Sequence, residues 1–200
     1  ARLEKKIPPL LFIAASGILV YFGTLHSPFL YDDIHAIMRN PYIRNLGDFQ
    51  KEVGIGNIFN RSFLLLTFAV NRHLGGLDVF GYHLINILLH TFVGIALYCT
   101  TTELLRLERR ENISRLENLP TLVVAIHMFN PVSVEAVTYL SSRSDLLVSL
   151  FYVLSFYLLA RFLHRLDQGK SLAENMHLLI LMTVFLFLGF ASKEIIITMP

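Results

Sequence analysis

The chain holds a single cysteine, Cys99, so no disulfide can form within it. Cys99 lies inside an apolar run, where a small buried side chain is the ordinary reading. Charge is scarce. Asp, Glu, Lys and Arg make up 16% of residues and the net charge is +2, which gives no sign of a nucleic-acid surface. No glycine-rich phosphate loop is present: Gly54-Ile55-Gly56 and Gly75-Gly76 are too short and mark turns. There is no HExxH, and His83 and His90 stand about two helical turns apart rather than one. A serine-nucleophile elbow and internal repeats are also missing.

Apolar residues are abundant instead. The hydrophobic fraction is 54% and the mean hydropathy +0.56. The apolar residues come in blocks, as in an all-α integral membrane protein rather than a soluble domain. A span needs about 20 mainly apolar residues, and residues 7–26, 80–102, 119–140, 146–163 and 176–192 supply about five such runs. The third is interrupted by Asn130-Pro131, where a kink is expected. The first reads as an uncleaved span, because it is long and no small-x-small site precedes the next loop.

With the N-terminus inside, the inner segments carry Arg2, Lys5, Lys6, Arg106, Arg109, Arg110, Arg115, Arg161, Arg165 and Lys170. This placement follows the positive-inside rule. Residues 27–79 then form a long outer loop. Within it, Phe63 to Val70 reads as an interfacial helix stopped at Gly75-Gly76. Short turns are expected at Leu46 to Phe49 and Asn57 to Phe59. The inner segment Glu103 to Asn118 spaces Glu111 and Arg115 as a solvated helical extension would.

This topology gathers the unusual polar residues on the outer side. Asp32, Asp33 and His35 follow the first span, and His83, Asn86 and His90 begin the second. Asn130 and Glu135 lie in the third, Arg143 and Asp145 open the fourth, and Lys193 and Glu194 close the fifth. Ionisable groups near membrane depth are costly and mark functional or bundle-facing positions. Asp32, Glu135, Arg143 and Lys193 are expected to face one outer cavity. The pair Asp32-Asp33 stands out. Adjacent carboxylates at the mouth of an apolar helix repel one another and lose hydration, which suits a general base. The same pair could instead cap a helix beginning near Ile34. Paired acids are also compatible with a divalent cation.

The order of these segments resembles a known family. Leu30-Tyr31-Asp32-Asp33-Ile34-His35 is similar to the acidic motif after the first span of membrane glycosyltransferases of the GT-C fold. The chain most resembles the transmembrane and tetratricopeptide-repeat O-mannosyltransferases and their prokaryotic relatives. The likeness continues through Asn40-Pro41, Leu66-Thr67-Phe68-Ala69-Val70-Asn71, Leu74-Gly75-Gly76 and Phe80-Gly81-Tyr82-His83-Leu84-Ile85-Asn86. It extends to Asn130-Pro131-Val132, Glu135-Ala136-Val137, Arg143-Ser144-Asp145-Leu146-Leu147 and Ser192-Lys193-Glu194. The family has His-Pro where this chain has Asn130-Pro131, and Arg-Pro where it has Arg61-Ser62.

The resemblance implies that residues 1–200 form the N-terminal part of a larger GT-C-like membrane domain. It implies sugar transfer, mannose foremost, from a polyprenyl-phosphate donor to an acceptor hydroxyl on protein, at the outer or lumenal face. The membrane would be that of the endoplasmic reticulum in a eukaryote or the inner membrane in a bacterium, with the N-terminus cytoplasmic. By matching the motif, Asp32 becomes the candidate base and Asp33 the second candidate catalytic residue, with His35 a substrate contact; His35 or Asp33 would orient the base or the acceptor. Arg143 and Lys193 become candidates for the lipid phosphate, and His83, Glu135 and Glu194 further substrate contacts. The alternative is a GT-C-like membrane subunit that is not catalytic and serves structure or assembly.

Overall fold

The computed structural model describes residues 7–52, 61–107, 116–198, and among these every regular element is helical. Eight α-helices follow one another: α1 (Ile7–Tyr21), α2 (Leu46–Glu52), α3 (Ser62–Gly75), α4 (Val79–Leu107), α5 (Leu119–Phe129), α6 (Ser133–Thr138), α7 (Arg143–Asp167) and α8 (Leu172–Phe190). The expected turn at Asn57–Phe59, the Glu111–Arg115 pair and the basic residues Arg2, Lys5 and Lys6 lie outside the described residues.

Three of these stretches are long and apolar enough to cross a membrane: Val79–Leu107, Leu140–Asp167 and Leu172–Phe190. The first two contain the runs 80–102 and 146–163, and the third overlaps 176–192. The other two expected spans are shorter. α1 has 15 residues and ends in a 3₁₀ turn at Phe22–Thr24. α5 has 11 residues, about 17 Å of helix, and the run 119–140 is broken rather than kinked. Pro131 is the cause. It has no N–H to continue the ladder and forces Asn130 into an extended conformation, ψ 119°. The Asn130 side chain then accepts the Val132 N–H at 3.0 Å, and α6 restarts two residues later.

α4 is the central post, packed against α1, α5 and α7, with α8 outside α7. Close approach is set by small residues. A Cβ on Gly17 would overlap the Thr91 hydroxyl, and one on Gly94 would overlap the Met128 methyl, so α1 and α5 sit tight on α4. Ile13, Val124 and Met128 form the core there. The Thr100 hydroxyl bonds the Val153 carbonyl at 3.3 Å, joining α4 to α7. The outer face of α8 exposes Met176, Ile180, Val184 and Phe187, as a lipid-facing helix does.

Chain direction alternates, so the ends of α1 and α8 and the starts of α4 and α7 meet at one end of the bundle. The loop between α1 and α4 folds onto this end. Its residues Ile37, Ile43, Leu64 and Phe68 share a core with Tyr82, Leu140, Leu147, Phe151 and Ile196. The expected interfacial helix is α3, which stops at Gly75 with Gly76 at φ 61°. It does more than lie on a surface. The Phe63 N–H bonds the Ala191 carbonyl at 2.9 Å, and Arg72 bonds the carbonyls of Ile37 and Met38 at 2.9 and 3.2 Å.

Candidate functional site

A cavity of about 470 Å³ opens at this end, lined from four segments. The loop after α1 contributes Asp32, Ala36, Asn40 and Tyr42, and α3 contributes Leu64, Leu65 and Phe68, with Arg61 just before it. The approach to α7 contributes Tyr139, Ser141, Ser142, Ser144 and Asp145. Lys193 comes from the turn after α8. Polar groups thus converge at the end of an apolar bundle, the usual setting of a binding site.

The Asp32-Asp33 turn is built locally. Tyr31 takes a left-handed conformation, φ 43°, which a residue with a Cβ adopts only under constraint. That twist separates the two carboxylates. Asp33 turns inward and is 1% exposed. Its Oδ1 accepts the Ser141 N–H at 2.7 Å and its Oδ2 accepts the Leu30 N–H at 3.1 Å. Asp32 stays exposed on the cavity side, its backbone N–H donating to the Tyr139 hydroxyl at 2.9 Å. A π-helical turn, Ile34–Met38, follows directly, so the acids do open a helical segment. Neither side chain caps it.

Arg143 does not line the cavity. It is fully buried and occupied by neutral partners. Its Nε donates to Asn86 Oδ1 at 2.8 Å and its Nη2 to the Tyr82 carbonyl at 3.1 Å, with Thr67 Oγ1 3.4 Å from Nη1. The guanidinium carbon lies 4.5 Å from the centre of the Phe68 ring, itself a cavity wall, and 5.7 Å from that of Tyr82. Asn86 in turn donates to the Val137 carbonyl at 3.3 Å. Arg143 therefore knits α3, α4 and α7 together behind the wall. Arg143, expected from the sequence to meet the lipid phosphate, sits behind the cavity wall rather than in its lining.

Lys193 lines the cavity and is ion-paired with Asp145, the second residue after Arg143. Glu194 is exposed and pairs with Arg61 at 3.6 Å. Its carboxyl is held below the usual carboxylate value chiefly by its own backbone N–H, and the Arg61 guanidinium adds to this. His83 is buried, with Nε2 3.1 Å from the Ser27 carbonyl and Nδ1 without a hydrogen-bond partner among the described residues. His35 and Glu135 are exposed and do not line the cavity. Of the four residues expected to share one cavity, Asp32 and Lys193 do so, and Glu135 and Arg143 do not.

Several cavity residues carried little signal in the sequence. Asn40, Tyr42, Tyr139, Ser141 and Ser142 are common loop residues, and of these only Asn40, in Asn40-Pro41, belongs to a motif. For a divalent cation the cavity offers Asp32 and Asp145, the latter already bound to Lys193. Among the described residues no three of His, Cys, Asp and Glu gather as a metal site would require.

A helical bundle with three membrane-length apolar helices among the described residues, and an acid and a lysine lining one cavity at its end, places the chain among integral membrane proteins. The particular kinship comes from comparison with curated proteins. Protein O-mannosyl-transferase TMTC1 of Homo sapiens is 30% identical over 169 residues, covering 78% of this chain and 18% of that protein. TMTC2 of Xenopus laevis is 32% identical over 181 residues, 82% of this chain and 20% of that protein. TMTC4 of Homo sapiens is 26% identical over 208 residues, 90% of this chain and 27% of that protein. The chain is thus related to the TMTC protein O-mannosyl-transferases, as its motifs indicated, and it spans about a fifth of the length of the first of these relatives. No family model and no solved structure matches it.

Proposed function

We propose that the chain forms part of a membrane glycosyltransferase that moves a sugar, mannose foremost, from a polyprenyl-phosphate donor to an acceptor hydroxyl on protein. Asp32 takes the hydroxyl proton as the oxygen attacks the anomeric carbon. The bond from that carbon to the phosphate oxygen breaks, the lipid phosphate leaves, and the configuration inverts with no covalent enzyme intermediate. Lys193 is the cavity lysine that meets the departing phosphate. Arg143 supports the wall through Phe68 rather than touching substrate, and Asp33 holds Asp32 in place. With the N-terminus cytoplasmic, the cavity faces the lumen or the outside, and the host membrane is that of the endoplasmic reticulum or a bacterial inner membrane.

The observation that carries this reading is that Asp32 and Lys193, far apart in sequence, line one cavity at the end of the membrane-length helices. The names of the relatives, protein O-mannosyl-transferases, support mannose as the sugar and protein as the acceptor. The test is sugar transfer by the full-length protein in nanodiscs, comparing polyprenyl-phosphate mannose with a nucleotide-linked mannose. Transfer from the lipid donor alone supports the reading, and transfer from the nucleotide donor alone rejects it. One feature favours a subunit without catalysis: Lys193 and Arg61, which line the cavity, are already engaged by the carboxylates of Asp145 and Glu194. Absence of transfer from either donor would support that alternative.

A further inference from the structure

The segment between α6 and α7 is held fast where it borders the cavity. Val137 and Leu140, close to Tyr139 on either side, are buried. The Tyr139 N–H donates to the Glu135 carbonyl and its carbonyl accepts the Ser142 N–H, each at 3.0 Å. Both backbone groups of Tyr139 are therefore spent, at ordinary extended angles of φ −88° and ψ 110°. Asn86 of α4 holds the Val137 carbonyl from behind. The Tyr139 side chain lines the cavity, with its hydroxyl at the Asp32 turn.

The turn that carries Asp32 is held in a different way. It begins at Tyr31, whose left-handed φ of 43° is strained and whose side chain, 82% exposed, packs on little. A strained residue of this kind persists only where its surroundings fix it. Two bonds with distant residues meet that need. On the inner side the Ser141 N–H donates to Asp33 Oδ1 at 2.7 Å. On the exposed side the Asp32 N–H donates to the Tyr139 hydroxyl at 2.9 Å. One bond alone would leave the turn a pivot. Two, to neighbouring positions on one fixed segment, set its orientation.

We infer that Tyr139 is a positioning residue for sugar transfer: its hydroxyl fixes the Asp32 backbone, and so keeps the Asp32 carboxylate where the acceptor hydroxyl gives up its proton. This rests on the reading of Asp32 as the base and adds what aims it. The two anchors of the turn differ in what they hold. Asp33 is buried, so its bonds belong to the fold. The bond from the Asp32 N–H is exposed, so water can replace the phenol as its partner at little cost to folding. Water does not hold the turn in place. A base works within hydrogen-bond reach of its proton, and a displacement of about 1 Å is enough to slow a positioned reaction strongly. Tyr139 therefore matters to the rate and little to the fold.

The test is Tyr139→Phe in the full-length protein in nanodiscs, alone and combined with Asp32→Asn. The assay uses polyprenyl-phosphate mannose and a hydroxyl-bearing acceptor peptide. Phenylalanine keeps the ring and removes only the hydroxyl. The melting temperature and both KM values should stay unchanged, while kcat falls by about tenfold, the upper net worth of one hydrogen bond. In the Asp32→Asn background the same change should cost less than about twofold, because no base is left to aim. A folded Tyr139→Phe protein at the full rate would overturn the inference. So would a melting temperature and rate that fall together, a raised acceptor KM with kcat intact, or an undiminished loss in the Asp32→Asn background. An Asp32→Asn protein at the full rate would reject the base assignment and this inference with it. A slow Asp32→Asn protein beside a full-rate Tyr139→Phe protein would reject this inference alone.

Discussion

The Asp33 carboxylate accepts the backbone N–H of Ser141 at 2.7 Å, a bond between residues 108 positions apart. It pins the turn after α1 to the turn before α7 and sets the rim on which Asp32 stands. The same carboxylate holds the Leu30 N–H, so both its oxygens are spent on backbone donors. Asp33 therefore fixes the backbone from which its neighbour Asp32 projects.

Replacing Asp33 by Asn should cost stability as well as activity. The amide keeps one acceptor but turns its NH₂ towards a backbone N–H. Leaving such a buried donor unpaired costs about 1–3 kcal/mol. Thermal unfolding in detergent should show a lower midpoint, with transfer falling in parallel. Unaltered stability together with lost transfer would instead assign Asp33 to the chemistry.

Arg143 should behave as a structural arginine. Its loss leaves Asn86 Oδ1 without its donor in the core, and a buried polar group left unsatisfied costs about 1–3 kcal/mol, to which the emptied side-chain volume adds. Arg143→Ala is expected to lose folded protein on size exclusion before any donor effect can be read. A well-folded Arg143→Ala enzyme with a raised donor requirement would restore the direct phosphate contact.

The membrane orientation has its own check. Gln50 is exposed on α2 in the loop that covers the cavity. In a Cys99→Ser background, Gln50→Cys should react with an impermeant thiol reagent applied from the lumenal or outer side. Reaction from the cytoplasmic side alone would invert the topology and move the site to the wrong face.

How much of this was legible beforehand differs by feature. Long apolar runs are one-dimensional signals, so α4, α7 and α8 could be placed from composition, and the Gly75-Gly76 stop of α3 from glycine's freedom at positive φ. The break at Pro131 was visible, but its size was not. A proline can kink or end a helix, and the packing of α6 against α4 and α7 decides which. Asp32 was found because an acid pair is rare at such a position. That the two acids part company depends on the left-handed Tyr31, which no local pattern announces. Arg143 was misplaced for a different reason. It starts α7, a position that reads as exposed, and is buried because α3 folds back across it.

Asp32 is the proposed proton acceptor in the cavity. Asp32→Asn is nearly isosteric, leaves the Tyr139 bond to its backbone N–H in place, and removes the base. Loss of a general base typically slows a reaction by about 10²–10⁴-fold. The decisive measurement is sugar transfer from a polyprenyl-phosphate donor by full-length Asp32→Asn protein in nanodiscs, beside its melting temperature and donor affinity. The expected result is a rate lower by about that factor with folding and donor binding retained. Transfer at the unsubstituted rate by a properly folded Asp32→Asn protein would contradict the assignment.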